Sequence, residues 1–193
     1  MLFRSYEVDT ASDGEEALTK SKELSYDIAF VDLQMPKMGG LELTHFLRGL
    51  SSRTAIVILT AYGSVTSAVE AMKLGAVDFL EKPFDPKAIQ ILVEEILLRK
   101  QLGSGGSVED LLHLAKLAQE RKAHIDARAY LKTAMVRDLT RPEPYYRLGV
   151  LCENEGNIRQ AVHYYYMAVD VSQTFQPARE ALQRLGRIDS KRD

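Results

Sequence analysis

The sequence predicts an α/β domain with a doubly wound parallel sheet, followed by an all-α domain. Three observations carry that expectation. Up to about residue 100, short β-rich runs alternate with helical periods. The one Gly/Ser cluster of the sequence, GSGGS at 103–107, then interrupts the pattern. Beyond it, apolar residues recur only at helical spacing, in a register of 34 residues. The domains are accordingly placed at 6–102 and 109–188, with a flexible linker at 103–108.

In the first half, YEVDTA (6–11) alternates polar and apolar residues and reads as a strand. Asp13 opens a helix, with Glu16 three residues on as the partner of a capping box. DIAFVD (27–32) is a continuous apolar run, the signature of a strand covered on both faces. LELTHFLRGL (41–50) is helical, and TAIVILT (54–60) is a second buried strand. SVTSAVEAMKLG (64–75) is a helix stopped at Gly75, and AVDFLEK (76–82) a further short strand. Asp85 caps a last helix whose first turn holds Pro86, where a missing N–H costs nothing. Its apolar stripe is Ile89, Leu92, Val93, Ile96 and Leu97.

In the second half, Leu111, Leu114, Ala115, Ala118, Ala127, Leu131 and Ala134 recur 34 residues later. Their counterparts are Tyr145, Leu148, Gly149, Cys152, Ala161, Tyr165 and Ala168. Small residues return where antiparallel helices must touch, and bulky ones return between them. Gly156-Asn157 marks a turn, and PAREALQRLGRI (177–188) suits a capping helix with a solvated outer face.

Composition excludes several classes. With 46% hydrophobic and 27% charged residues the chain is ordinary for a globular protein. Its apolar runs are too short for a membrane span, and no signal peptide is evident. A single cysteine, Cys152, cannot form an internal disulfide, which suits a cytoplasmic protein. Net charge is −2, and the excess of basic residues after residue 100 is too small to imply nucleic acid binding. His45, His113, His124 and His163 show no metal-ligand spacing with one another or with Cys152. Tyr164, Tyr165 and Tyr166 lie inside a helical pattern and point in different directions, which favours packing over base stacking.

In open parallel sheets, functional groups gather at the carboxyl ends of the strands. Asp32, Thr60 and Lys82 each stand at such an end, so three polar residues converge on one sheet edge. The stretches YEVDTASDGEEAL, DIAFVDLQMPKMGG, VILTAYGS and EAMKLGAVDFLEKPF, with the closing helix, resemble a response-regulator receiver domain. The likeness is to the type attached to nitrogen-regulator-like transcription activators, and it implies a flavodoxin-like fold. It also implies that Asp32 accepts a phosphoryl group from a histidine kinase or phosphotransfer protein. Thr60 would bond the phosphoryl oxygens and Lys82 would pair with them. Phe79 takes the aromatic switch position, and Lys82-Pro83 corresponds to a bond that is usually cis.

Mg²⁺ is the cofactor that the resemblance implies, held by Asp32, the Gln34 backbone carbonyl and an acidic pair ending a first strand. That pair is absent from the chain, because the YEV strand already begins at Tyr6. A receiver lacking its first strand and helix is therefore expected, with weak phosphorylation or none. MLFRS is also the translation of the end of a common sequencing adapter, which would start the native sequence at Tyr6.

Residues 109–188 resemble tetratricopeptide repeats, with YYRLGVLCENEGNIRQAVHYYYMAV as the stronger unit. In the first unit, Lys122 stands where a turn glycine is typical. That resemblance implies a module binding an unknown protein or peptide. Two units are few for a stable stack, so docking on another surface or homodimerisation is expected. The leading expectation is a phosphoacceptor response regulator with a protein-binding output, not a turnover enzyme. The alternative is a scaffold or adaptor whose receiver half is inactive in phosphotransfer.

Overall fold

The computed structural model describes residues 6–51, 53–61, 65–103 and 105–187, with only the backbone considered over 65–68. The expectations for MLFRS, for Tyr62 to Ser64, for Ser104 and for Ile188 fall outside the described residues. The chain divides into two compact units, residues 1–89 and 90–193.

The first unit holds α1 (Gly14–Glu23), β1 (Ile28–Asp32), α2 (Gly40–Leu50), β2 (Ala55–Ala61), α3 (Val65–Lys73) and β3 (Asp78–Lys82). The strands form a parallel sheet in the order β1-β2-β3. Register pairs Asp32 with Leu59, Thr60 with Glu81 and Ala61 with Lys82, which brings the three strand ends level. Parallel strands need crossover connections, and α2 and α3 supply them. The core under the sheet is Val31, Ile56, Ile58, Leu43, Leu47, Ala71 and Ala76. Ile56, Val57 and Ile58 are fully buried in succession, as a strand covered on both faces must be.

Three expectations need correction. Residues 6–11 are not a strand but an irregular, exposed segment. Alternation gives a segment two faces, but a strand also needs a neighbour to take its N–H and C=O groups. Among the described residues the sheet offers 6–11 no such pairing. The capping box at α1 is also altered. Asp13 accepts from the Glu16 N–H as predicted, but the Glu16 carboxylate accepts from the N–H and hydroxyl of Ser12 instead of from Asp13. Finally, the buried face of α4 (Pro86–Leu102) is Ile91, Leu92, Glu95 and Ile96, rotated from the predicted stripe, because Glu95 is held inside by partners from later helices.

The division between units falls within α4, between Ile89 and Gln90. The second unit adds α5 (Val108–Glu120), α6 (His124–Arg137), α7 (Pro142–Asn154), α8 (Ile158–Val171) and α9 (Gln176–Arg184). Ser107 caps α5 in a full capping box with Asp110. Leu98 and Leu102 of α4 pack on the core formed by α5, α6 and α7. Glu95, 1% exposed, accepts from Arg121 Nε at 2.9 Å and from the Tyr130 hydroxyl at 3.0 Å. A second core gathers Tyr145, Cys152, Ala161, Tyr165, Ala168, Ala178 and Leu182. Every one of the residues that recur in the 34-residue register is buried. Cys152 is free and fully buried.

Candidate functional site

Asp32 ends β1 because the apolar run stops there and the chain turns into the Pro- and Gly-punctuated loop LQMPKMGG. Lys82 ends β3 in the same way, before a cis bond to Pro83. These two strands flank β2, and the side chains meet across its end: Lys82 Nζ lies 2.5 Å from Asp32 Oδ2. The other carboxylate oxygen, Oδ1, accepts from the Gln34 N–H at 3.1 Å. Both side chains stay partly open to solvent, 34% exposed for Asp32 and 39% for Lys82. Burial is the largest influence on the Asp32 carboxyl and pushes it up. The Lys82 ammonium and the N–H groups of Gln34 and Leu33 together outweigh burial and hold it below the usual carboxylate value.

Thr60 stands at the end of the strand between them and is buried, its hydroxyl donating to the Ala61 carbonyl at 3.2 Å. Phe79 lies three residues before Lys82, hence on the opposite face of β3, with its ring 47% exposed. The structure thus joins Asp32, Lys82 and the Gln34 backbone directly, places Thr60 beside them, and sets Phe79 outside.

Two features of the surrounding loop escape a local reading of the sequence. A Cβ on Gly40 would meet the Asp32 carbonyl oxygen at 2.3 Å, so only glycine lets α2 start against the strand end. Lys37, at φ 62°, sends its ammonium to Asp13 Oδ2 at 2.6 Å and ties the loop to the N-terminus of α1. The MGG doublet was the visible signal for the first. The second spans 24 residues and had none.

The Mg²⁺ expectation can be tested on the donor set. Among the described residues, no three His, Cys, Asp or Glu side chains gather to hold a metal ion. Both Asp32 oxygens already have protein partners, and Asp13 is engaged by Lys37. Mg²⁺ demands near-octahedral oxygen ligation. The residues present do not fit that need by themselves. Among the described residues, no helix is long and apolar enough to cross a membrane.

Residues 3–94 match the family model of the response regulator receiver domain. The chain is similar to the transcriptional regulatory protein ZraR of Klebsiella oxytoca, 36% identical over 54% of this chain and 24% of that protein. It is also similar to the alkaline phosphatase synthesis transcriptional regulatory protein PhoP of Bacillus subtilis, 37% identical over 53% of this chain and 42% of that protein. A crystal structure of a response regulator receiver domain protein from Clostridium thermocellum is 33% identical, with a TM-score of 0.47, over 50% of this chain and 78% of that one. The chain spans a quarter of the ZraR relative and under half of the PhoP relative. Residues 3–94 belong to the response regulator receiver domain family of two-component systems.

Proposed function

We propose that this chain is a cytoplasmic phosphoacceptor response regulator, in which Asp32 takes a phosphoryl group from a histidine kinase or phosphotransfer protein. The observation that carries the reading is the Asp32–Lys82 pair at the ends of β1 and β3, with Thr60 at the end of β2. An Asp32 oxygen would attack phosphorus in line while the donor's bond to phosphorus breaks, so the donor leaves as the phosphoryl group arrives. Lys82 would release the carboxylate oxygen and pair with a phosphoryl oxygen as a compact positive charge. The Thr60 hydroxyl would turn from the Ala61 carbonyl to another phosphoryl oxygen, and Phe79 would move inward behind it. The added charge would bias the loops around the strand ends between two arrangements.

The helical unit, read as two tetratricopeptide-like repeats and a capping helix, would bind a protein or peptide as the output. The relatives named as transcriptional regulators are matched over part of their length, so no DNA binding is carried over from them. One observation favours a second reading, a scaffold or adaptor without phosphotransfer: the described residues do not assemble a Mg²⁺ donor set.

Acetyl phosphate with Mg²⁺ separates the two readings. It is applied to the 193-residue chain and to a version carrying a receiver-type first strand and acidic pair fused ahead of Tyr6. An acid-labile phosphoryl mass gain in the extended protein, lost in Asp32→Ala, is the expected result, with little or none in the shorter chain. No Asp32-dependent gain in either protein overturns the phosphoacceptor reading and leaves the scaffold.

A further inference from the structure

Helix α6 is apolar on two sides, and among its described contacts only one side is covered. Ala127, Leu131 and Ala134 point into the core of the helical unit and are fully buried. On another side, Ile125, Val136 and Leu139 are 85%, 71% and 63% exposed. Ile125 and the exposed Ala129 stand at the start of that side and Val136 at its end, with the exposed Lys132 between them and Leu139 just past the helix, ~20 Å in all at the rise of an α-helix. A helix apolar on both sides ordinarily has both sides buried.

The repeat register supplies an internal control. Residues 34 positions on from Ile125, Ala129, Val136 and Leu139 are Arg159, His163, Asp170 and Gln173, all exposed on α8 or just beyond it. The same surface is therefore polar in the second unit, so packing of the repeat does not require apolar residues there. Something specific to α6 accounts for them, and exposed apolar residues gathered on one side of a helix mark interaction sites.

Charge says what kind of partner fits. Lys122 and Arg128 border these apolar residues and Lys132 lies among them, and His124 lies at the rim of a depression of about 270 Å³ that Ile125, Arg128, Ala129 and Lys132 line with Glu155. Of the nearby acids, Glu155 is paired with Arg128 and Asp126 with Arg121. A second α6 laid on this surface would set lysine against lysine. We propose that the outer face of α6 docks an amphipathic helix of a partner protein, one whose apolar stripe is bordered by Asp and Glu. The partner's apolar residues would cover Ile125, Val136 and Leu139, and its carboxylates would meet Lys122 and Lys132. The proposal shares with the function above only the idea that the helical unit binds protein, and it needs no phosphorylation of Asp32.

The test uses the unphosphorylated 193-residue chain and two fluorescein-labelled peptides of about 15 residues, long enough for this side of α6. One carries leucines at helical spacing bordered by Glu, and the other has Lys for every Glu. Anisotropy should show saturable binding of the Glu peptide, weakened by salt and roughly tenfold or more tighter than the Lys peptide. The exposed double variant Ile125→Ser/Val136→Ser should lose that binding by roughly tenfold while keeping its helical circular dichroism. Equal binding of the two peptides, no binding, or full binding by the variant overturns the proposal. So does sedimentation showing a dimer that the variant converts to monomer while neither peptide binds, because this side of α6 would then be a contact between copies. Since Asp32→Ala should bind the peptide unchanged, failure of the phosphoacceptor reading and failure of this one are distinguishable.

Discussion

Asp32 is held between opposing influences: burial raises its carboxyl, and Lys82 with two backbone N–H groups lowers it further than burial raises it. Because the folded value lies below the unfolded one, the stabilisation is present at neutral pH and is lost as pH falls through the folded value. Replacing Lys82 by Met removes the ammonium and leaves burial with less opposition. The Asp32 carboxyl should then titrate at higher pH than in the parent, followed by carbon-13 NMR of the side-chain carboxyls. An unchanged midpoint would mean that the 2.5 Å contact does not set the charge of Asp32 in solution. At this scale the sequence was informative where chemistry repeats at fixed places, as with Asp32, Thr60 and Lys82. It was silent on the Asp13–Lys37 pair, since Asp13 already had a complete local explanation as a helix cap.

Elements formed where their evidence was local and failed where it was not. Strand β2 is a continuous apolar run whose burial on both faces is written into its own residues. Residues 6–11 have the right alternation, yet Tyr6 and Val8 stand exposed because a ladder needs a neighbour that no local pattern supplies. In the helical unit the 34-residue register was legible because small residues mark close helix contacts. Lys122 and Gly156, one register apart, both adopt positive φ, at 62° and 78°, so the turn is made at both places although only one has glycine. Close contact at Gly149 yields a sharp expectation. An added Cβ would lie 2.4 Å from the Tyr165 ring, and that ring is anchored through its hydroxyl to Glu153 at 2.6 Å. Gly149→Ala should therefore destabilise the helical unit by ~1–3 kcal/mol in urea unfolding, despite the better helix propensity of alanine. In Gly49→Ala, where nothing lies within 4 Å, propensity alone should act and stability should hold or rise.

At the scale of the whole molecule, composition marks residues 103–107 while packing divides the chain between Ile89 and Gln90. The difference lies in the buried cluster of Glu95, Arg121 and Tyr130, which links residues 26 to 35 positions apart and so leaves no periodic trace. Burial, and then the nearby Glu95 charge, push the Tyr130 hydroxyl up to about 12 from an ordinary 10.0. With the folded value raised, the contribution is fully present below pH 10 and is lost as pH rises through about 12. Urea midpoints should fall more steeply across that window in the parent than in Tyr130→Phe, with Tyr165 common to both. Parallel curves would show that Tyr130 is not the titrating group.

The continuation of α4 past Ile89 bears on how such a chain can be cut and rejoined. The glycines at 103, 105 and 106 look like the seam along which the helical unit could be lifted out and joined to another protein. A cassette starting there would leave behind Leu98 and Leu102, baring the core they cover. It would also strip Arg121 of Glu95, and removing one partner of a buried ion pair costs ~3–5 kcal/mol. A cassette starting at Gln90 would carry its own end cap. The transferable piece is therefore longer than its repeats, and its first turns are written in the last helix of the receiver.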